Sequence, residues 1–159
     1  MTRKKNPRRR DDFAGQHGSR AERASVYIAQ NHLTPEEVIE ETKKASHTSY
    51  RVGIWIGNNE DATVYGFAFP CAQAHRQGRR VAPYKYAQDV RDTFYLVTDG
   101  SGAYPKMPNA YVPCIERMLL CDHPEWEIKL EPSMFDLIEV EPASRYIKRE
   151  EALIDYLQL

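Results

Sequence analysis

Residues 50–57 read Tyr-Arg-Val-Gly-Ile-Trp-Ile-Gly, and their alternation constrains the fold more than any other stretch of the chain. A strand turns successive side chains to opposite faces, so Val52, Ile54 and Ile56 share one face while Arg51, Gly53 and Trp55 share the other. The pattern predicts a half-buried strand. Asn58-Asn59-Glu60-Asp61 has turn composition and residues 62–69 form a second aromatic run, so the two runs together predict a β-hairpin. Further strands are expected at 93–98, 125–130 and 134–140, around a Gly/Pro-rich loop at 100–113.

Helix signals lie on either side of these runs. Ser19 and Glu22 have capping-box spacing ahead of Val26, Tyr27 and Ile28, which predicts a short helix to about Asn31. Thr34-Pro35-Glu36-Glu37 is a stronger start signal: Thr34 caps, Pro35 suits the first helical position and Glu37 faces the positive end of the dipole. The helix is expected over 35–45, with Val38, Ile39 and Thr42 inward. Residues 114–121 fit either a short helix or a buried strand. Ser144 has the chemistry to cap a last helix running to Gln158, with Tyr146, Ile147, Ile154 and Leu157 inward. The expected class is therefore α+β: a mostly antiparallel sheet of about five strands flanked by N-terminal and C-terminal helices.

A chain of 159 residues suits one hydrophobic core. The expected organisation is a flexible basic arm over 1–24 and a single α+β domain over 25–159. No apolar run approaches the ~20 residues that cross a bilayer, so no membrane partner is expected. Cys71, Cys114 and Cys121 are sparse and odd in number, and no apolar segment of signal type accompanies them, which points to a reducing compartment, the cytoplasm.

The net charge of −1 hides a segregation. Residues 1–25 hold eight Lys/Arg against three Asp/Glu, residues 26–114 hold nine of each, and residues 115–159 hold five against eleven. Six of the cations, Arg3, Lys4, Lys5, Arg8, Arg9 and Arg10, fall in the first ten residues. Guanidinium pairs bidentately with phosphate, and each contact releases condensed counterions. Four to six such contacts predict a log affinity that falls with log salt at a slope of roughly −4 to −5. The competing reading keeps the arm within the protein world. It lies on an acidic surface, its own or a neighbour's, and makes a homo-oligomer by arm exchange.

A second basic cluster, His75-Arg76-Gln77-Gly78-Arg79-Arg80, leads into Tyr84-Lys85-Tyr86. Cations interleaved with aromatic rings suit single-stranded nucleic acid, because phosphates go to Arg76, Arg79, Arg80 and Lys85 while bases stack on Tyr84 and Tyr86. The plainer reading is a polar crossover loop whose tyrosines anchor it to the core.

Catalytic signals are thinner. Asp99 precedes Gly100-Ser101-Gly102 after an apolar run, and Glu127 and Lys129 would share a face of the strand at 125–130. Brought together, two carboxylates and a lysine form a metal-dependent nuclease set. The glycines match neither the P-loop nor the dinucleotide fingerprint. Cys71-x-x-x-His75, Cys114 and Cys121-x-His123 contain zinc-type ligands without the paired short clips of structural zinc sites, so no metal and no cofactor is expected. His47-Thr48-Ser49 lacks the second His-x-Ser/Thr of a twin-histidine phosphoesterase, and His47 reads as a helix terminus.

Three function classes follow in order. First is a non-catalytic binding protein associated with nucleic acid or ribonucleoprotein through the phosphate backbone. Second is a protein-interaction or assembly module whose arm docks on an acidic surface. Third is a metal-dependent nuclease. A small chain with so few family signals also fits a phage or another mobile element.

Overall fold

The computed structural model describes residues 18–97 and 107–159, and among these every regular element is a helix. Six α-helices carry the chain: α1 Arg20–Gln30, α2 Pro35–Asn58, α3 Phe69–Arg76, α4 Ala87–Thr93, α5 Val112–Asp122 and α6 Glu150–Leu157. A π-helix, Ala62–Ala68, runs directly into α3, and short 3₁₀ turns connect the rest. The chain divides into two compact units. The first comprises residues 1–47 and 129–139, the second residues 48–128 and 140–159.

In the first unit, α1 starts at a complete capping box. The Ser19 hydroxyl accepts from Glu22 N–H at 3.0 Å and the Glu22 carboxylate accepts from Ser19 N–H at 3.1 Å. The helix closes at His32, whose positive φ of 52° lets the amides of His32 and Leu33 turn back to the carbonyls of Ala29 and Ile28. A second capping box opens α2: Thr34 Oγ1 accepts from Glu37 N–H and Glu37 Oε1 accepts from Thr34 N–H at 2.9 Å. Tyr27 on α1 donates to Glu41 on α2 at 2.6 Å, and burial followed by that carboxylate pushes its phenol up to about 12. Helix α1 also packs on the 3₁₀ turn Met134–Leu137. There Arg23 Nε donates to Asp136 Oδ1 at 3.0 Å, and the Asp136 side chain is fully buried. Taking one partner from such a pair costs about 3–5 kcal/mol, because it strands the other charge.

The second unit is built around α5, whose Ile115, Met118 and Leu119 are completely buried. Trp55, Ile56, Val64, Phe67 and Tyr156 join them in the core. At the end of α5, Asp122 accepts three hydrogen bonds: from Ser144 N–H at 2.9 Å, from the Ser144 hydroxyl at 2.7 Å and from the Tyr156 hydroxyl at 2.7 Å. Burial and this carboxylate push the Tyr156 phenol far up. His123 stacks on Trp126 with ring centroids 4.1 Å apart and meets the edge of Tyr156 at 5.1 Å.

The expected α+β class is corrected by these elements, because no strand is present among the described residues. Residues 50–57 are the second half of α2. Ala45, Ser49, Val52, Ile56 and Asn59 are buried at spacings of four, three, four and three, which is the period of a helix. Gly53 and Gly57 serve a close approach: a Cβ on Gly53 would stand 2.5 Å from the Tyr146 ring. Residues 62–69 are π-helix and the start of α3 in place of a second strand, so the hairpin is absent. In that π-helix Gly66 lets Val90 and Phe94 close in, at 2.7 and 2.9 Å from where a Cβ would sit.

The remaining strands are replaced as well. Residues 94–97 have no regular structure, 124–126 are a 3₁₀ turn, and 134–137 are another. Residues 114–121 lie within α5, which decides between helix and strand. His47 sits inside α2, not at its end, and Ile39 is 56% exposed, not inward. Ser144 belongs to the 3₁₀ turn Ala143–Tyr146, where Asp122 holds it, and the last helix starts later, at Glu150. No described helix is long and apolar enough to cross a membrane.

Candidate nucleic-acid interface

Helix α3 ends on a left-handed glycine, and that ending displays the basic cluster. Gly78 has φ 69°, its amide bonds the carbonyl of His75 at 3.1 Å, and the amide of Arg79 bonds the carbonyl of Ala74 at 2.8 Å. Both orphan carbonyls of the last turn are satisfied, and the chain reverses. His75, Arg76, Gln77, Gly78, Arg79 and Arg80 are all exposed as a result, while Val81, Ala82 and Pro83 dip back into the core. Lys85 and Tyr84 emerge again on the 3₁₀ turn Pro83–Tyr86, with Tyr84 52% exposed. Arg79 is braced: its Nε donates to Gln77 Oε1 at 2.8 Å. Burial raises the Tyr86 phenol against the opposing pull of Arg79. No Asp or Glu occurs in residues 75–88, so the four cations have no carboxylate neighbour in sequence.

The basic ribbon therefore reaches the surface in two stretches, 75–80 and 84–85, separated by the buried residues 81–83, with Tyr84 as its exposed ring. Arg91, one helix further on, is spent elsewhere. It donates to Met107 C=O at 3.0 Å and to Asn109 Oδ1. Arg3, Lys4, Lys5, Arg8, Arg9 and Arg10 lie outside the described residues. Of the other two cations in residues 1–25, Arg23 pairs with Asp136, and Arg20 donates to the Asp136 carbonyl and lies 4.0 Å from Glu139.

A groove of about 510 Å³ opens in the second unit where α2 ends and α4 ends. Asn58, Glu60, Asp61, Phe94, Tyr95 and Arg149 line it. Glu60 Oε2 accepts from the backbone amides of Lys148 and Arg149 at 2.8 and 3.3 Å, which places a carboxylate at the positive end of α6. The Arg149 guanidinium pairs with Asp61 and with Glu60, and the hydrogen bond and charge of Asp61, followed by the charge of Glu60, raise its pKa. On the opposite lip Tyr95 is 96% exposed. Nothing in the sequence marked this groove, because its lining comes from three segments up to 92 residues apart, Gly57 to Arg149.

Of the nuclease set only Glu127 and Lys129 fall among the described residues. Asp99 lies outside them, Glu127 sits in the left-handed region at φ 50° after a 3₁₀ turn, and both Glu127 and Lys129 are exposed and not on a strand. No group of three His, Cys, Asp or Glu able to hold a metal ion occurs among the described residues. Cys71 and Cys114 are buried, and burial pushes both thiols up to about 12, aided at Cys71 by Glu116. Cys121 is exposed. No protein-family model, no curated protein and no solved structure matches this chain.

Proposed function

We propose that the chain is a non-catalytic nucleic-acid- or ribonucleoprotein-associated binding protein of the reducing cytoplasm, which holds the phosphate backbone with the ribbon Arg76, Arg79, Arg80 and Lys85. The observation that carries this reading is the exposure of all four cations along a stretch without an acidic residue, next to the half-exposed ring of Tyr84. The cations of residues 3–10 add to the same field at the level of sequence. The bracing of Arg79 by Gln77 supports the reading too, since a guanidinium already held in place loses less freedom on meeting phosphate. The two buried thiols, Cys71 and Cys114, and the exposed thiol of Cys121 suit a reducing compartment.

The test is anisotropy binding of the full chain to a labelled single strand of about 16 nucleotides. The triple substitution Arg76→Ala, Arg79→Ala, Arg80→Ala, in protein that keeps its helical content, should weaken binding about tenfold or more. Unchanged affinity would overturn the ribbon as the contact. A wild-type chain that binds no strand, and whose oligomer size falls as salt rises, would put an acidic protein surface in the place of nucleic acid.

A further inference from the structure

Tyr95 is the most exposed large hydrophobic side chain of the described residues, and the chain is tethered on either side of it. On one side the Phe94 amide closes α4 on the Val90 carbonyl at 3.1 Å. On the other, both backbone polar groups of Val97 bond the Asn59 side chain at 2.7 Å. Leu96, between them, is buried. The ring is thus displayed between these two tethers, beside a groove of about 510 Å³, a volume in the range that holds a small ligand. An aromatic face displayed this way stacks a planar partner at little entropic cost.

The groove's polar lining narrows the partner's chemistry. Asp61 and Glu60 supply carboxylate oxygens, and Arg149 holds both acids without removing their capacity to accept. Carboxylates beside an aromatic face turn phosphate away and accept from exocyclic amino groups, as they do with the N4 amino of cytosine. Position supplies the last constraint. Helix α4 joins the turn bearing Lys85 to Phe94, and its seven residues span about 10 Å, close to three nucleotide rises of a stacked strand.

We propose that the groove beside Tyr95 takes one amino-bearing base of a single strand whose phosphates lie on the ribbon Arg76–Lys85. This rests on the reading of the ribbon as a phosphate contact, and it adds a base-stacking site that the ribbon does not require. Tyr95 is a binding residue here, and Asp61 a specificity residue for the amino group.

Two strands of equal length, oligo-cytidine and its abasic counterpart, are titrated against the full wild-type chain, the Tyr95→Ala variant and the triple ribbon variant. Wild type should prefer the cytidine strand. Tyr95→Ala should weaken the cytidine strand by about 5-fold to 100-fold and leave the abasic strand unchanged, while Tyr95→Phe retains the preference. A side chain so exposed is removed with little effect on folding, so the variant remains informative. Equal binding of the two strands by wild type, or no effect of Tyr95→Ala, would overturn the base site. A ribbon variant that binds both strands as wild type does, while Tyr95→Ala still weakens only the cytidine strand, would instead overturn the ribbon alone. Cytidine monophosphate binding as tightly as the strand would overturn the strand as the source of the base.

Discussion

The side-chain amide of Asn59 binds both backbone polar groups of Val97: its Oδ1 accepts from the Val97 amide and its Nδ2 donates to the Val97 carbonyl, each at 2.7 Å. The same Nδ2 donates to the Trp55 carbonyl at 2.9 Å, so one buried amide ties the end of α2 to the segment carrying Tyr95. It completes the hydrogen bonding that a neighbouring strand would otherwise supply to Val97. At Met107 a second side chain, Arg91, holds the carbonyl in the same manner.

Asn59→Asp should therefore be at least as damaging as Asn59→Ala. The carboxylate keeps one acceptor but faces the carbonyls of Trp55 and Val97 with no hydrogen to offer. A loss of about 1–3 kcal/mol is expected for either change. Thermal unfolding should register it as a fall of about 2–4 °C per kcal/mol. An Asp variant as stable as wild type would contradict the assigned hydrogen bonds.

Gly53 and Tyr146 make a pair whose coupling changes sign. With the Tyr146 ring 2.5 Å from where a Cβ would sit, Gly53→Ala overpacks the site and should cost about 1–3 kcal/mol. In a Tyr146→Ala background the clash is gone, and alanine's helix preference should make Gly53→Ala stabilising by up to about 1 kcal/mol. A double-mutant cycle by chemical denaturation checks the reversal, and equal effects in both backgrounds would contradict the packing.

The capping boxes at Ser19 and Thr34 were legible because they are local, three residues from cap to carboxylate, and both form. Residues 50–57 misled because the bulky side chains alternate while the helical face is completed by small or polar residues, Ala45, Ser49 and Asn59. Those residues carry no hydrophobic signal, so period two outweighed period 3.6. What fixes the helix is tertiary: Tyr146, 93 positions after Gly53, fills the space that each missing Cβ leaves. The basic ribbon was visible as composition, but its exposure depends on the reversal at Gly78, and the groove at Tyr95 had no local trace at all.

The two helix endings with left-handed residues should respond oppositely to substitution. Gly78→Ala meets no neighbouring atom, so its cost is the backbone's alone, about 1 kcal/mol. His32 holds the same conformation at φ 52° with a side chain that disfavours it, and His32→Gly should stabilise by up to about 1 kcal/mol. Denaturation midpoints of the two variants should move in opposite directions. A shared direction would contradict one of the two endings.

The thiols should separate by reactivity and by pH. At neutral pH a thiol reagent should label Cys121 rapidly and reach Cys71 and Cys114 only on unfolding. Both buried thiols are pushed from the ordinary 9.0 up to about 12, so the folded state keeps protons that the unfolded chain gives up. Their contribution is fully present below pH 9.0 and is lost as pH rises toward about 12. Replacing both with serine-free apolar alternatives such as Cys71→Ala and Cys114→Ala should flatten that alkaline fall. A fall of unchanged steepness would assign it to the buried tyrosines.

The most direct test of the account is the salt dependence of binding to a single strand, compared between wild type and the Arg76→Ala, Arg79→Ala, Arg80→Ala variant. Each phosphate contact on a single strand contributes about −0.7 to the slope of log affinity against log salt. The account predicts that the variant's slope is flatter by about 2. Superimposable slopes, or a wild-type slope near zero, would contradict it.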